Sequence, residues 1–258
     1  MTARALDRAW RLTATAFSFA LFGCCTVLLS LTVFPILAVA SASADRRSAR
    51  VQWVLHCGCR LFVWIMKGLG LLTWEAQGLE RLAGPGQMIV ANHPSLIDVV
   101  FFLSWMPQAD CIMKQSLARN PFLRWTVAWA GYIGNASPEG LIEDCARVLR
   151  SGRSLIVFPE GTRTVPGLAA PFKRGAARIA LLSGAEILPV RIHCDPPTLM
   201  KHSRWWQIPP RPAHFSFSAG TPFRAADIAV VGETQAQAAR RVTDHLQRLL
   251  LPLAVLSN

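Results

Sequence analysis

Two short stretches of this chain carry side chains of the types that do acid–base chemistry or bind anions. The first is "ANHPSLID", residues 91–98, directly after the apolar, strand-like run "QMIVA". His93 and Asp98 stand five residues apart, and on one continuous helix that offset turns by about 140°, which would point them to different faces. Pro94 suits the first turn of a helix. His93 is therefore expected just outside, in a strand-to-helix loop, with Asp98 projecting back towards it from the second turn. In that geometry the carboxylate accepts a hydrogen bond from one imidazole nitrogen, fixes the tautomer and stabilises the imidazolium, and the other nitrogen is free to take a proton. A satisfied structural histidine would use the same two residues. Of the six histidines, however, only His93 has an Asp at this offset, and it follows a strand, where α/β folds place their ligands.

The second stretch is "FPEGTRT", residues 158–164, after the apolar run "SLIV". It sets Glu160, Gly161, Thr162 and Arg163 at the end of another expected strand, where they can face the same crevice as His93. Arg163 can hold a phosphate or carboxylate bidentately, and Gly161 permits close backbone approach to a ligand. Glu160 can orient a hydroxyl acceptor or pair with a cation. An ordered turn with an internal Glu160–Arg163 ion pair is the alternative use of these residues.

The elements that must position these loops read as an α/β sheet. After a polar, turn-rich break at "GLERLAGPG", 78–86, short apolar strands alternate with helical patterns. Helices are expected over 94–105, 121–130, 137–151, 171–183 and about 234–251, and strands over 87–91, 109–113, 154–158, 186–192 and 213–218. The helix at 137–151 has the strongest signals: Ser137 as N-cap, Pro138 in the first turn, Gly152 after the last, and Leu141, Ile142, Cys145, Val148 and Leu149 at helical spacing as its buried face.

Ahead of this lies a different kind of sequence. No charged residue occurs from Leu12 to Ala44, a run longer than the roughly 20 residues that a membrane span needs and too long for a signal-peptide apolar core. Basic residues flank it equally, Arg4, Arg8 and Arg11 before and Arg46, Arg47 and Arg50 after, so charge selects no orientation and a bend near Pro35 is expected. Residues 12–72 read as a helical anchor, spanning or monotopic, with Trp53, Trp64 and Trp74 at the interface. The division expected is residues 1–74 as membrane-anchoring helices and 75–258 as an α/β domain.

Bulk composition agrees: 52% of residues are hydrophobic and 16% charged, and mean hydropathy is +0.32. The formal net charge of +12 implies an anionic partner. With no zinc-finger spacing, basic recognition helix or aromatic RNA-binding strand, a phospholipid surface fits better than nucleic acid. The 7 cysteines form no disulfide framework, which points to a reducing compartment. "HCGC", 56–59, lies in an apolar helical stretch without a second ligand pair, so no metal is expected.

Together the two chemistry-bearing stretches resemble the glycerolipid acyltransferases, the 1-acylglycerol-3-phosphate acyltransferases and their lysophospholipid relatives. Asn92, His93 and Asp98 match that family's Asn-His-x-x-x-x-Asp motif, and Phe158 to Arg163 match Phe-Pro-Glu-Gly-Thr-Arg-Ser, with Thr164 in the last place. "FKRGAARIA", 172–180, and "ILPV", 187–190, resemble the segments that follow, so the likeness covers roughly residues 75–220 in order.

The resemblance implies a mixed α/β sheet preceded by a membrane-binding helix pair. His93 would be general base on an acceptor hydroxyl and Asp98 its support, while Asn92, Glu160, Gly161, Thr162 and Arg163 shape the substrate site. The donor it implies is a thioester of coenzyme A or acyl carrier protein, with no cofactor and no Ser or Cys nucleophile; the chain indeed has no Gly-x-Ser-x-Gly elbow. Backbone N–H groups around Gly161 are the expected oxyanion donors. A bacterial inner-membrane location with the site towards the cytoplasm follows from the same likeness. One departure stands out. Where the family's second motif ends in an Arg that holds glycerol phosphate, "AGYIGNASPEG" has Asn135, Ala136 or Ser137. That opens the site to a lyso-lipid other than lysophosphatidate, or to a non-glycerolipid acceptor of a specialised pathway. Lys114, Arg119, Arg124, Lys173 and Arg174 are the cations able to substitute. A catalytically inactive membrane scaffold is the competing class.

Overall fold

A computed structural model describes residues 3–113, 120, 122–134, 138–164 and 171–251. Its centre is a mixed sheet in the order β1-β7-β6-β2-β5-β3-β4, with β8 added on β6. The strands are β1 (Leu72–Gln77), β2 (Met88–Ala91), β3 (Asp110–Met113), β4 (Ile133–Gly134), β5 (Leu155–Val157), β6 (Glu186–Asp195), β7 (Ala213–Ala219) and β8 (Phe223–Arg224). The interior strands β6, β2, β5 and β3 run parallel to one another. β7 runs antiparallel to β6, and β1 closes the edge parallel to β7.

Strand periodicity divides the core into two layers. From β2, Ile89 and Ala91 face one layer with Ile156, Leu188 and Val190, while Met88 and Val90 face the other with Leu155, Val157 and Ile187. The second layer is covered by α6 (Pro138–Arg150), α7 (Gly175–Ser183) and α8 (Gln235–Leu250), through Cys145, Leu149, Ala177, Ile179, Val242 and Leu246. The first is covered by α3 (Ala44–Gly68) and α4 (Asp98–Trp105). Here Phe101 is fully buried and touches the rings of Trp74, Phe215 and Phe217 at centroid separations of 5.8, 5.1 and 4.9 Å. Rings packed at such separations hold a helix in register as well as bury area. The helix so held begins with Asp98.

Three expected helix starts differ. The helix placed at 94–105 starts at Asp98, because residues 94–97 form a turn whose Ser95 N–H is taken by the Asp98 carboxylate at 2.8 Å. The helix expected at 121–130 is α5 (Arg124–Ala130), and the one at 171–183 begins at Gly175. β1 was not expected as a strand at all, and it straddles the boundary placed at 74/75. The N-cap expected at Ser137, and Lys114, Arg119 and Asn135 to Ser137, lie outside the described residues. α6 does bury Ile142, Cys145 and Leu149, as its spacing requires.

α1 (Ala3–Leu31) and α2 (Val33–Val39) are inverted relative to a water-facing amphipathic helix. The face packed on the protein is small and polar: Ala14, Thr15, Ser18, Thr26 and Ser30. Thr15, Ser18 and Thr26 return their hydroxyls to the carbonyls of Arg11, Ala14 and Phe22, and Ser30 bonds Thr126 of α5 at 2.8 Å. The outward face carries Phe17, Leu28, Leu31, Ile36 and Val39, the last 92% exposed. Large side chains outward and small, internally satisfied ones inward suit an apolar solvent. Ala3–Val39 is long and apolar enough to cross a membrane. The break between α1 and α2 falls at Thr32; Pro35 explains it, since it offers no N–H and its ring clashes with the carbonyl four residues back, on Leu31.

Candidate active site

The two motif stretches meet because of strand register. β2 and β5 are parallel neighbours with Val90 opposite Val157, so both chains leave the sheet at the same edge and their next residues form facing loops. His93 and Glu160 are sixty-seven residues apart in sequence, yet the His93 N–H donates to Glu160 Oε1 at 3.0 Å. Thr164 closes the arrangement from the other side. Its N–H donates to the His93 carbonyl at 2.7 Å and its hydroxyl to the same Glu160 oxygen at 2.8 Å.

Within this frame His93 Nδ1 lies 2.9 Å from Asp98 Oδ2. That oxygen also accepts the Ser95 N–H, so its lone pairs are directed and Nδ1 is the protonated nitrogen. The imidazole ring stacks on Phe158 at 4.2 Å and 20°, which fixes its plane. Its side chain is 17% exposed while that of Asp98 is fully buried. Nε2 is the ring nitrogen with no hydrogen-bond partner among the described residues. Burial pushes the Asp98 carboxyl above its ordinary value, against the opposing pull of His93 and the Ser95 N–H. A carboxylate raised in this way is a stronger acceptor for an imidazole N–H. Glu160 is raised too, chiefly by burial, with Thr164 and the His93 N–H pulling the other way.

The remaining expected site residues are placed as follows. Asn92 is buried, and its side chain extends the β2–β6 ladder past the end of β2, donating to the Ile192 carbonyl at 2.8 Å and accepting the Ile192 N–H at 2.7 Å; its amide is committed to positioning. Gly161 has φ +64, a left-handed conformation that favours glycine, and a Cβ there would meet only the flexible Lys173 side chain, 2.8 Å from its Nζ. Its N–H closes a turn on the Phe158 carbonyl at 3.0 Å. That removes it as an oxyanion donor and leaves the N–H groups of Thr162 and Arg163, which have no acceptor among the described residues. Arg163 does not pair with Glu160. Its Nη1 donates to the carbonyls of Leu199 and Met200 at 2.8 and 3.0 Å, and burial lowers its pKa. The first of these carbonyls also accepts the Leu96 N–H at 3.1 Å, so residue 199 joins both motif loops.

Phe158, Thr164, Ser95 and the Leu199 carbonyl are the site groups not assigned roles from sequence. Phe158 and Thr164 lie inside the quoted motif and could have been found there; a backbone carbonyl leaves no signal. No cluster of three metal-ligating side chains occurs among the described residues.

Comparison with known proteins finds acyltransferases alike in sequence and in fold. Residues 74–193 match the sequence model of the Acyltransferase family. The 1-acyl-sn-glycerol-3-phosphate acyltransferase of Pseudomonas aeruginosa is 26% identical over 148 residues, covering 55% of this chain and 58% of that protein. That of Saccharomyces cerevisiae is 32% identical over 149 residues, covering 54% of this chain and 48% of its own length. The chain thus spans only about half the length of these relatives. The crystal structure of the 1-acyl-sn-glycerophosphate acyltransferase PlsC from Thermotoga maritima superposes with a TM-score of 0.64 at 19% identity, over 95% of this chain and 97% of that one. The matched segment, residues 74–193, holds both motif loops, and in sequence and fold this chain resembles the PlsC-like glycerolipid acyltransferases.

Proposed function

We propose that this protein transfers a fatty acyl group from a thioester, of coenzyme A or acyl carrier protein, to the hydroxyl of a lysophospholipid-type acceptor such as 1-acylglycerol-3-phosphate. The observation that carries the reading is the His93–Asp98 pair, with Nδ1 held at 2.9 Å from the buried carboxylate on a ring that is 17% exposed, at the rim of a framed loop pair. In the reaction Nε2 removes the acceptor's hydroxyl proton as its oxygen attacks the thioester carbonyl, and Asp98 stabilises the imidazolium. The tetrahedral intermediate collapses with the thiolate as leaving group, which takes the proton back from His93. The Thr162 and Arg163 N–H groups are the proposed donors to the oxyanion. Glu160 and Asn92 act by holding the loops.

The inverted α1–α2 face supports membrane anchoring. Buried positions recur from Ala14 to Ser30, so α1 lies against the protein along its length, which favours a monotopic seat over a free span. On this reading residues 1–74 anchor the enzyme, the remainder catalyses, and β1 belongs to the catalytic sheet. The site would face the cytoplasm, where thioester donors are found.

The test is an acyl-transfer assay of detergent-purified protein beside His93→Ala, offering both thioester donors against a panel of lyso-lipids. Acylated product that disappears in the variant is the expected result. Free fatty acid formed equally by both proteins, or no transfer to any acceptor, overturns it.

A further inference from the structure

The connection between β6 and β7, residues 196–212, holds no acidic residue but carries Lys201, His202, Arg204, Trp205 and Trp206 in six consecutive positions. Trp205 and Trp206 are 44% and 48% exposed and meet edge to face at 5.5 Å. The Arg204 guanidinium lies over the Trp206 ring at 5.2 Å. Neither Lys201 nor Arg204 has an acidic partner among the described residues. Two large aromatic side chains left half in solvent beside unpaired cations are costly in water and favourable at a lipid headgroup boundary.

The depth of this loop is set by α1. Arg11, only 3% exposed, donates from Nη1 to the Pro209 carbonyl at 2.7 Å and from Nη2 to the Pro210 carbonyl at 3.1 Å. Arg11 is the last charged residue of α1 before its uncharged run begins at Leu12. The loop is therefore bolted to the anchor helix at the level where polar gives way to apolar. Trp10 joins the same region through its indole N–H on the Leu69 carbonyl, at 3.1 Å.

We propose that loop 201–206 is a second membrane-docking element, seating Trp205 and Trp206 at the boundary of an anionic phospholipid surface with Lys201 and Arg204 against its headgroups. It deepens the membrane reading of α1 and rests on it. The docked segment begins two residues after Leu199, whose carbonyl holds both Arg163 and Leu96, so seating the loop steadies the turn that presents Asp98.

The experiment uses the full chain labelled with 5-fluorotryptophan, in bilayer discs carrying a headgroup nitroxide, with the Trp205, Trp206 and Trp10 resonances assigned by single Trp→Phe substitutions. In phosphatidylglycerol discs all three lines are expected to broaden. In Lys201→Glu/Arg204→Glu the Trp205 and Trp206 lines should recover at least half of their lost intensity while Trp10 stays broadened. Trp205 and Trp206 unaffected beside a broadened Trp10, or broadened equally in the double variant, overturns the proposal. So does a change at these lines only when a soluble acidic carrier protein is added, which would make the loop a protein-docking site. Absence of broadening at Trp10 as well overturns the membrane reading of α1 together with it, so the two failures are distinguishable.

Discussion

Asp98→Asn tests the central geometry. The oxygen that faces His93 also receives the Ser95 N–H, so an asparagine must place its carbonyl oxygen there, since its NH2 would oppose a donor. The histidine tautomer is thereby retained, and what is lost is charge. At 2.9 Å the attraction between carboxylate and imidazolium is about 6 kcal/mol at an effective dielectric of about 20. A neutral hydrogen bond left in its place retains about 1–2 kcal/mol. The difference, about 4 kcal/mol, corresponds to a loss of roughly 1,000-fold in kcat. The assay is single-turnover acyl transfer with saturating donor, for Asp98→Asn, His93→Ala and the double variant. Because Asp98 reaches the reaction only through His93, the double variant should be no slower than His93→Ala. An Asp98→Asn enzyme within tenfold of wild type, or a double variant clearly slower than His93→Ala, would refute the reasoning.

Three further outcomes follow from the frame around that pair. Glu160→Gln keeps an oxygen for the His93 N–H and the Thr164 hydroxyl and should change stability little, whereas Glu160→Ala leaves both donors unpaired and should cost about 1–3 kcal/mol by chemical denaturation; equal stabilities would remove Glu160 from its framing role. Gly161→Ala forces a side chain onto φ +64 against Lys173 and should destabilise by about 1–2 kcal/mol, readable as a lower midpoint in the same experiment. Asp110, buried at the start of β3 against Arg153 and Gln52, is raised by desolvation to about 6 from 3.8. The folded state then binds more protons than the unfolded one between those values, so stability should fall as pH rises from about 4 to about 6, by up to about 3 kcal/mol; Asp110→Asn should flatten that slope, and an unchanged slope counts against the assignment.

Much of this site was legible because its chemistry is local. "ANHPSLID" and "FPEGTRT" contain the proposed base, the carboxylate paired with it, the Glu that links the loops and the Gly that the turn favours, and the apolar runs before them identify the strands. The errors fall where tertiary structure overrides local pattern. Residues 94–97 have the look of a helix start, yet Asp98 uses its side chain on Ser95 and the helix waits until that residue. β1 follows Gly70 with Leu72, Trp74 and Ala76 alternating against Thr73, Glu75 and Gln77, a strand signature hidden because it continues the aromatic, apolar run of α3. Asn92 was assigned to substrate, but a strand end beside β6 gave its amide a backbone to complete.

Arg163 shows where reading from residue types stops. A guanidinium at the end of a strand suggests an anion, and here its Nη1 is held by two backbone carbonyls of a loop thirty-six residues further on. Two arginines thus grip the same β6–β7 connection. Arg163 holds its start at Leu199 and Met200 from the turn after β5, and Arg11 holds its end at Pro209 and Pro210 from α1. Carbonyls carry no mark in a sequence, so neither contact was foreseeable, although both arginines were noted. Their consequence is mechanical: the apolar helix, the aromatic loop and the His–Asp turn are joined by buried or half-buried charged hydrogen bonds, each stronger than a neutral one. On the proposed reading, a bilayer substrate would meet the His93 ring at a depth set by this tie between the ring's loop and α1.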